Sequence, residues 1–169
     1  VFRSANGTFT KLANPDVIPG VSTGVALSSD ATYMVVTQSA ATRFAVYKRS
    51  GDSFTKLTNP TQPSGNAYAA AFSKDDTYLA IAHTSSPYVS IYKRSGDTFT
   101  KLSDPADLPT GQGNSVAFSD NGEYLIVGHN SAPYITIYKR SGDTFTKLAN
   151  PSTLPTSSVN GVAFSPDSG

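Results

Sequence analysis

Imidazole is the side chain best suited to proton transfer or metal ligation near neutral pH, and this chain of 169 residues carries two, His83 and His129. They stand at corresponding points of a repeating pattern, with Gln38 in that place one repeat earlier. Thr84 and Asn130 follow them directly, and Asn66, Gln112, Asn114 and Asn160 recur at a second set of corresponding points. Amides and imidazoles both donate and accept hydrogen bonds, which suits the hydroxyls of a sugar. The pattern therefore predicts a ring of polar ligand contacts made by His83, Thr84, His129, Asn130, Asn66, Gln112, Asn114 and Asn160. The competing reading is that each histidine hydrogen-bonds its neighbouring loop and fixes the repeat. No metal site is expected, because the histidines lie one repeat apart and no acidic residue recurs beside them.

Other chemistry-bearing residues also recur. Lys48-Arg49, Lys93-Arg94 and Lys139-Arg140 would make a polyanion-binding rim, but Asp52, Asp97 and Asp143 follow closely and offset them, as in a solvated hairpin. Tyr88 and Tyr134 follow prolines, with Tyr47, Tyr92 and Tyr138 in the same kind of strand; they either stack on sugars or pack between repeats. Asp30, Asp76, Asp120 and Asp167 fall in one kind of turn, where aspartate caps its own backbone. A calcium site would need clustered oxygens from several residues. An enzyme needs different residues in different places, an acid here and a base there. This chain repeats the same residues, so it is read as non-enzymatic, with no catalytic residue and no cofactor.

The bulk composition narrows the partners. Thirteen basic and 12 acidic residues give a net charge of +1, so no global field recruits nucleic acid or an anionic membrane. There is no cysteine, which removes disulfides, thiolate catalysis and zinc-thiolate sites. No apolar run approaches the roughly 20 residues that span a bilayer as a helix.

The elements that must position these residues are repeats. YKRSGDSFTKL at Tyr47 to Leu57 returns as YKRSGDTFTKL at Tyr92 to Leu102 and at Tyr138 to Leu148, with a diverged copy, VFRSANGTFTKL, at the start. A second signature keeps pace: GVALSSDATYMVV, AAAFSKDDTYLAI, SVAFSDNGEYLIV and a final GVAFSPDSG. Each unit of about 45 residues divides into four short apolar runs separated by turn signals. In the third unit these are Ser115 to Ser119, Tyr124 to His129, Tyr134 to Arg140 and Thr144 to Leu148, with an Asn121-Gly122 turn after the first. The first run is rich in small residues, the second is the most apolar, and the fourth carries Lys11, Lys56, Lys101 and Lys147, as an exposed edge should. No stretch has a helical apolar period.

Four antiparallel strands per unit predict an all-β propeller of four-stranded blades. The expected array is a partial blade at 1–12, blades at 22–57, 67–102 and 114–148, and a partial blade at 160–169 whose Gly161 to Ser165 is a lone first strand. The run GVAFS-PD…YL-V…PYITIY-RSGDTFTKL resembles the WD-repeat-like and YVTN-type β-propellers of bacteria and their phages. No Trp-Asp dipeptide ends a strand, and Gly128-His129 ends a second strand, so the WD hydrogen-bond network is not carried over.

These readings converge on a module for protein or glycan binding or for structural assembly, acting as part of a larger ring. Its partner is either itself, head to tail, or the missing blades of a longer chain. An extracellular, virion or surface setting fits it. The resemblance implies one alternative, a YVTN-type propeller enzyme such as a lactonase.

Overall fold

The structure, a computed structural model, describes residues 2–15, 20–40 and 42–166, and its regular elements there are all β. A hairpin of β1 (Phe2–Ala5) and β2 (Thr8–Lys11) comes first. Three four-stranded sheets follow. The first holds β3 (Ser22–Leu27), β4 (Tyr33–Gln38), β5 (Phe44–Ser50) and β6 (Ser53–Lys56). The second holds β7 (Ala67–Phe72), β8 (Tyr78–His83), β9 (Val89–Ser95) and β10 (Thr98–Lys101). The third holds β11 (Gly113–Phe118), β12 (Tyr124–His129), β13 (Ile135–Ser141) and β14 (Thr144–Lys147). Each is an antiparallel meander in chain order.

The sheets stack face to face. The first strands β3, β7 and β11 lie side by side. The second strands are sandwiched, and every residue of β4 and β8 is buried. That is why they read as unbroken apolar runs: both faces meet protein. One core layer joins the first two sheets through Val35, Phe44, Val46, Leu79, Ile81 and Tyr92. Another joins the second and third through Ala80, Ala82, Ile91, Leu125, Val127 and Tyr138. A fully buried Leu or Ile contributes about 1.5–3 kcal/mol, so stability resides mainly between sheets. The fourth-strand lysines lie on sheet edges, as their charge predicts.

Several details differ from the sequence expectation. The first strand of the third sheet begins at Gly113, before Ser115, because a bulge at Asn114 interrupts its pairing; Thr23 and Tyr68 bulge likewise. The third strands open at Val89 and Ile135, since Tyr88 and Tyr134 have positive φ (67° and 70°) and stand outside the ladder. Gly161 to Ser165 is not a strand, for no second strand among the described residues offers it ladder bonds.

The four turn aspartates are not equivalent. The residues that cap the turn are Asp30, Asp75 and Asn121, which accept from Ser28, Ser73 and Ser119 hydroxyls at 2.7, 2.6 and 2.7 Å. Asp76 instead reaches the preceding sheet, accepting from Ser29 N (2.7 Å) and Ser29 Oγ (2.8 Å). Asp120 pairs with Lys74 at 3.6 Å, and Asp167 lies outside the described residues.

A repeated polar latch ties neighbouring sheets together. Tyr33 donates its hydroxyl to Asp97 Oδ1 (2.6 Å), and Lys48 Nζ lies 2.8 Å from Asp97 Oδ2. One repeat on, Tyr78 donates to Asp143 Oδ1 (2.6 Å), with Lys93 at 2.9 Å. Arg94 and Arg140 lie over the Tyr33 and Tyr78 rings, 5.0 and 4.7 Å from their centroids. The hairpin aspartates therefore neutralise the lysine of the preceding repeat, not that of their own. The Lys48 ammonium, with help from Tyr33, holds the Asp97 carboxyl below its ordinary range; for Asp143 the Tyr78 hydroxyl leads and Lys93 follows.

Tyr78→Phe removes one latch bond and should cost about 1 kcal/mol, measured as a lower urea midpoint. A carboxyl whose folded pKa is depressed stabilises the fold above its unfolded value of 3.8, and loses that effect as pH falls through the folded value. Asp143→Asn should accordingly flatten the acid limb of the stability curve below that value.

Candidate functional site

The loops after the second strands and the starts of the first strands meet at one end of the sheets. Thr84 N donates to Asn66 O at 3.0 Å, and Asn66 N donates to Thr84 Oγ1 at 3.0 Å. Asn130 N donates to Gln112 O at 3.2 Å. The approach is close: a Cβ on Gly65 would sit 2.5 Å from Ser85 N, so only glycine fits there.

His83 and His129 end β8 and β12 opposite Ala67 and Gly113, and Gln38 holds the same register opposite Ser22. Both rings are fully enclosed, with 0% exposure. His83 Nε2 is 3.0 Å from Ser90 Oγ, and His129 Nε2 is 3.0 Å from Thr136 Oγ1. The hydroxyl comes from the adjacent third strand. Its counterpart beside Gln38 is Ala45, which offers no partner, and neither polar side-chain atom of Gln38 makes a hydrogen bond. Burial drives the His83 pKa down to about 4 and lowers that of His129. Both are therefore neutral at pH 7. Each serves its own sheet, and among the described residues no three His, Cys, Asp or Glu side chains gather for a metal.

The polar surface at this end belongs to the amides. Asn114 Nδ2 faces Ser158 Oγ (3.1 Å), Val159 O (3.2 Å) and Asn160 Oδ1 (3.1 Å), and Gln112 Nε2 donates to Asn114 Oδ1 at 3.0 Å. The bulge is what turns Asn114 toward this segment, since the extra residue leaves the ladder and re-aims its side chain. Gln112, Asn114 and Asn160 thus form one group, with Asn130 joined through its backbone. Asn66 and Thr84 form another, completed by Arg43, whose Nη1 donates to Asn66 Oδ1 (2.6 Å) and Ala40 O (2.7 Å). Sequence reasoning missed Arg43. Its signal is a cation where the later repeats carry Tyr88 and Tyr134.

The tyrosines of the third strands point inward. Tyr47, Tyr92 and Tyr138 are wholly buried. Tyr92 and Tyr138 donate to Thr61 O (2.7 Å) and Asp107 O (2.9 Å), pinning the linkers. The end surface therefore offers neutral donors and acceptors with one paired guanidinium, an arrangement that can hold hydroxyls or peptide groups.

No family model and no curated protein matches the chain. Solved structures do. A protein from Lactobacillus plantarum superposes with a TM-score of 0.73 at 14% identity, over 93% of this chain and 50% of that one. A proposed 6-phosphogluconolactonase from Bacteroides uniformis gives 0.68 at 15% identity, over 86% and 49%. Another from Bacteroides fragilis gives 0.65 at 17%, over 73% and 36%. The fold is that of a β-propeller. The chain spans half or less of these propeller structures' own length.

Because the folded His83 pKa lies below the unfolded 6.5, the unfolded chain takes up a proton that the folded chain refuses. Stability should thus fall as pH drops from 6.5 toward about 4 and then level off. The slope from this group is at most about 1.4 kcal/mol per pH unit. His83→Gln should flatten that slope in urea titrations across this window. Ser90→Ala, which orphans the imidazole, should cost about 1–3 kcal/mol at pH 7.

Proposed function

We propose that this chain is a non-enzymatic β-propeller module for protein or glycan binding or for structural assembly, acting as part of a larger ring. The observation that carries the reading is the amide surface at one end, where Gln112, Asn114 and Asn160 share hydrogen bonds of 3.0–3.1 Å, Asn130 joins them through its backbone, and Asn66 sits with Thr84 in a second group. Binding residues are disproportionately found on loops held by a stable scaffold. In this reading Thr84 braces Asn66, and the enclosed His83 and His129 act through the second and third strands they tie together, from whose ends the loops run. The neutral donors and acceptors favour sugar hydroxyls or backbone amides over phosphates.

One alternative has a specific motive: two of the superposed propellers are described as proposed 6-phosphogluconolactonases. At such low identity that likeness carries the fold, and among the described residues no carboxylate is hydrogen-bonded to either imidazole.

A glycan array, followed by a titration of the best hit, tests the proposal. Asn66→Ala and Asn114→Ala should each weaken binding by about tenfold, one lost hydrogen bond being worth about 1.4 kcal/mol, with the fold unchanged by circular dichroism. Loss that instead tracks Lys93 and Lys139 would move the site to the hairpins at the other end. Turnover of a lactone by the purified chain would favour the enzyme.

A further inference from the structure

The sheets are joined by an aromatic triad that recurs in register. In the first instance Phe99, on a fourth strand, packs edge-on against Tyr33 of the preceding sheet (5.7 Å between ring centroids) and against Phe72 of its own first strand (6.2 Å). In the second, Phe145 meets Tyr78 (5.9 Å) and Phe118 (6.3 Å). Continuing the register, Tyr124 and Phe164 are the first two members of a third triad, and no fourth-strand Phe meets them among the described residues. At the opposite end of the array, Phe9 occupies the fourth-strand position without its two companions. It is 72% exposed, whereas Phe54, Phe99 and Phe145 are each 5% exposed. Phe2 is 63% exposed, though its counterparts Tyr47, Tyr92 and Tyr138 are wholly buried, and Val25 and Leu27 on the adjoining β3 are exposed as well.

We propose that these two ends bind each other between copies of the chain, head to tail: Tyr124 and Phe164 of one copy receive Phe9 of the next, and the 159–166 segment covers Val25 and Leu27. This rests on the reading of the chain as part of a larger ring. The polar contacts agree. Thr23 and Asn114 reach across to Ala67 O (2.5 Å) and Val159 O (3.2 Å) of the following repeat. Asn160 stands next in that row, with Ser22 of the second copy in the receiving position.

The junction lacks two things that the internal ones have. No second strand fills it. Its latch has a donor pair, Tyr124 and Lys139, but Gly7 replaces the hairpin aspartate. The turn chemistry explains the exchange. Asn6 and Gly7 both have positive φ (49° and 77°), whereas in the Gly-Asp turns only Gly51, Gly96 and Gly142 do (59°, 56° and 57°). Assembly is therefore weaker than the internal packing and depends on concentration.

Light scattering and sedimentation over a concentration series test this. The chain should pass from the mass of one copy to multiples of it. Phe9→Ser, at an exposed site, should raise the midpoint at least tenfold without changing the circular dichroism. The double variant Asn6→Gly/Gly7→Asp rebuilds the Gly-Asp turn and should lower the midpoint by about tenfold, the worth of one charge-assisted bond. A single-copy mass up to about 500 μM, far above the ~1 μM at which a −8.2 kcal/mol contact is half-formed, would overturn the proposal and leave these faces to another occupant, such as further repeats. Oligomers indifferent to both variants would overturn it too. Neither variant alters Asn66 or Asn114, so the binding reading stands or falls on the glycan titration.

Discussion

Everything in this structure depends on second strands that are apolar on both faces. A sheet with one wet face can rest on a single neighbour, but β4 and β8 have no exposed residue and need protein on each side. One repeat therefore cannot bury its own core; stacking is the condition of folding. The other features follow. First strands must be lined with small residues because neighbouring sheets crowd there: a Cβ on Gly24 would lie 2.8 Å from Tyr68 O. The polar groups between sheets must be satisfied by the adjoining repeat, which is the task of Asp76, Asp97 and Asp143.

The architecture was legible because its signals are periodic. Phe54, Phe99 and Phe145 mark fourth strands by spacing alone, and the unbroken run at Tyr124 to His129 marks a second strand. What the sequence hid is what crosses between repeats. Asp97 looks like the counter-ion of Lys93, four residues away, yet it meets Lys48. Asp75 and Asp76 are adjacent, and only the fold shows that one caps its own turn while the other serves the sheet before it. Linear spacing carries no information about which neighbour a side chain faces.

The candidate site was legible as a location and not as a set of contacts. The two-strand register correctly groups Asn66 with Thr84 and Gln112 with Asn130, because both loops hang from paired strand ends. It does not say that the imidazoles turn inward. That follows from position 90 being Ser and position 136 being Thr, hydroxyls set beside the rings, while Ala45 sits beside Gln38. The pairing of a ring with a hydroxyl and of an amide with a methyl is visible in the sequence only once the strand register is known. Arg43 escaped for the opposite reason: it belongs to a single repeat, and periodic reading discounts what does not recur.

The latch has a direction. Each tyrosine and lysine reaches forward to the next hairpin, and no hairpin aspartate reaches forward in return. A chain of identical forward couplings has the grammar of a polymer. Inserting or deleting one whole unit rebuilds the same tyrosine–lysine–aspartate latch at the new boundary, so a genetic slip of one repeat keeps that coupling and changes only the contacts of residues that do not recur, such as Arg43 and Asn114. Unit by unit, the latch is indifferent to how many repeats it joins, which leaves the number of repeats open to change.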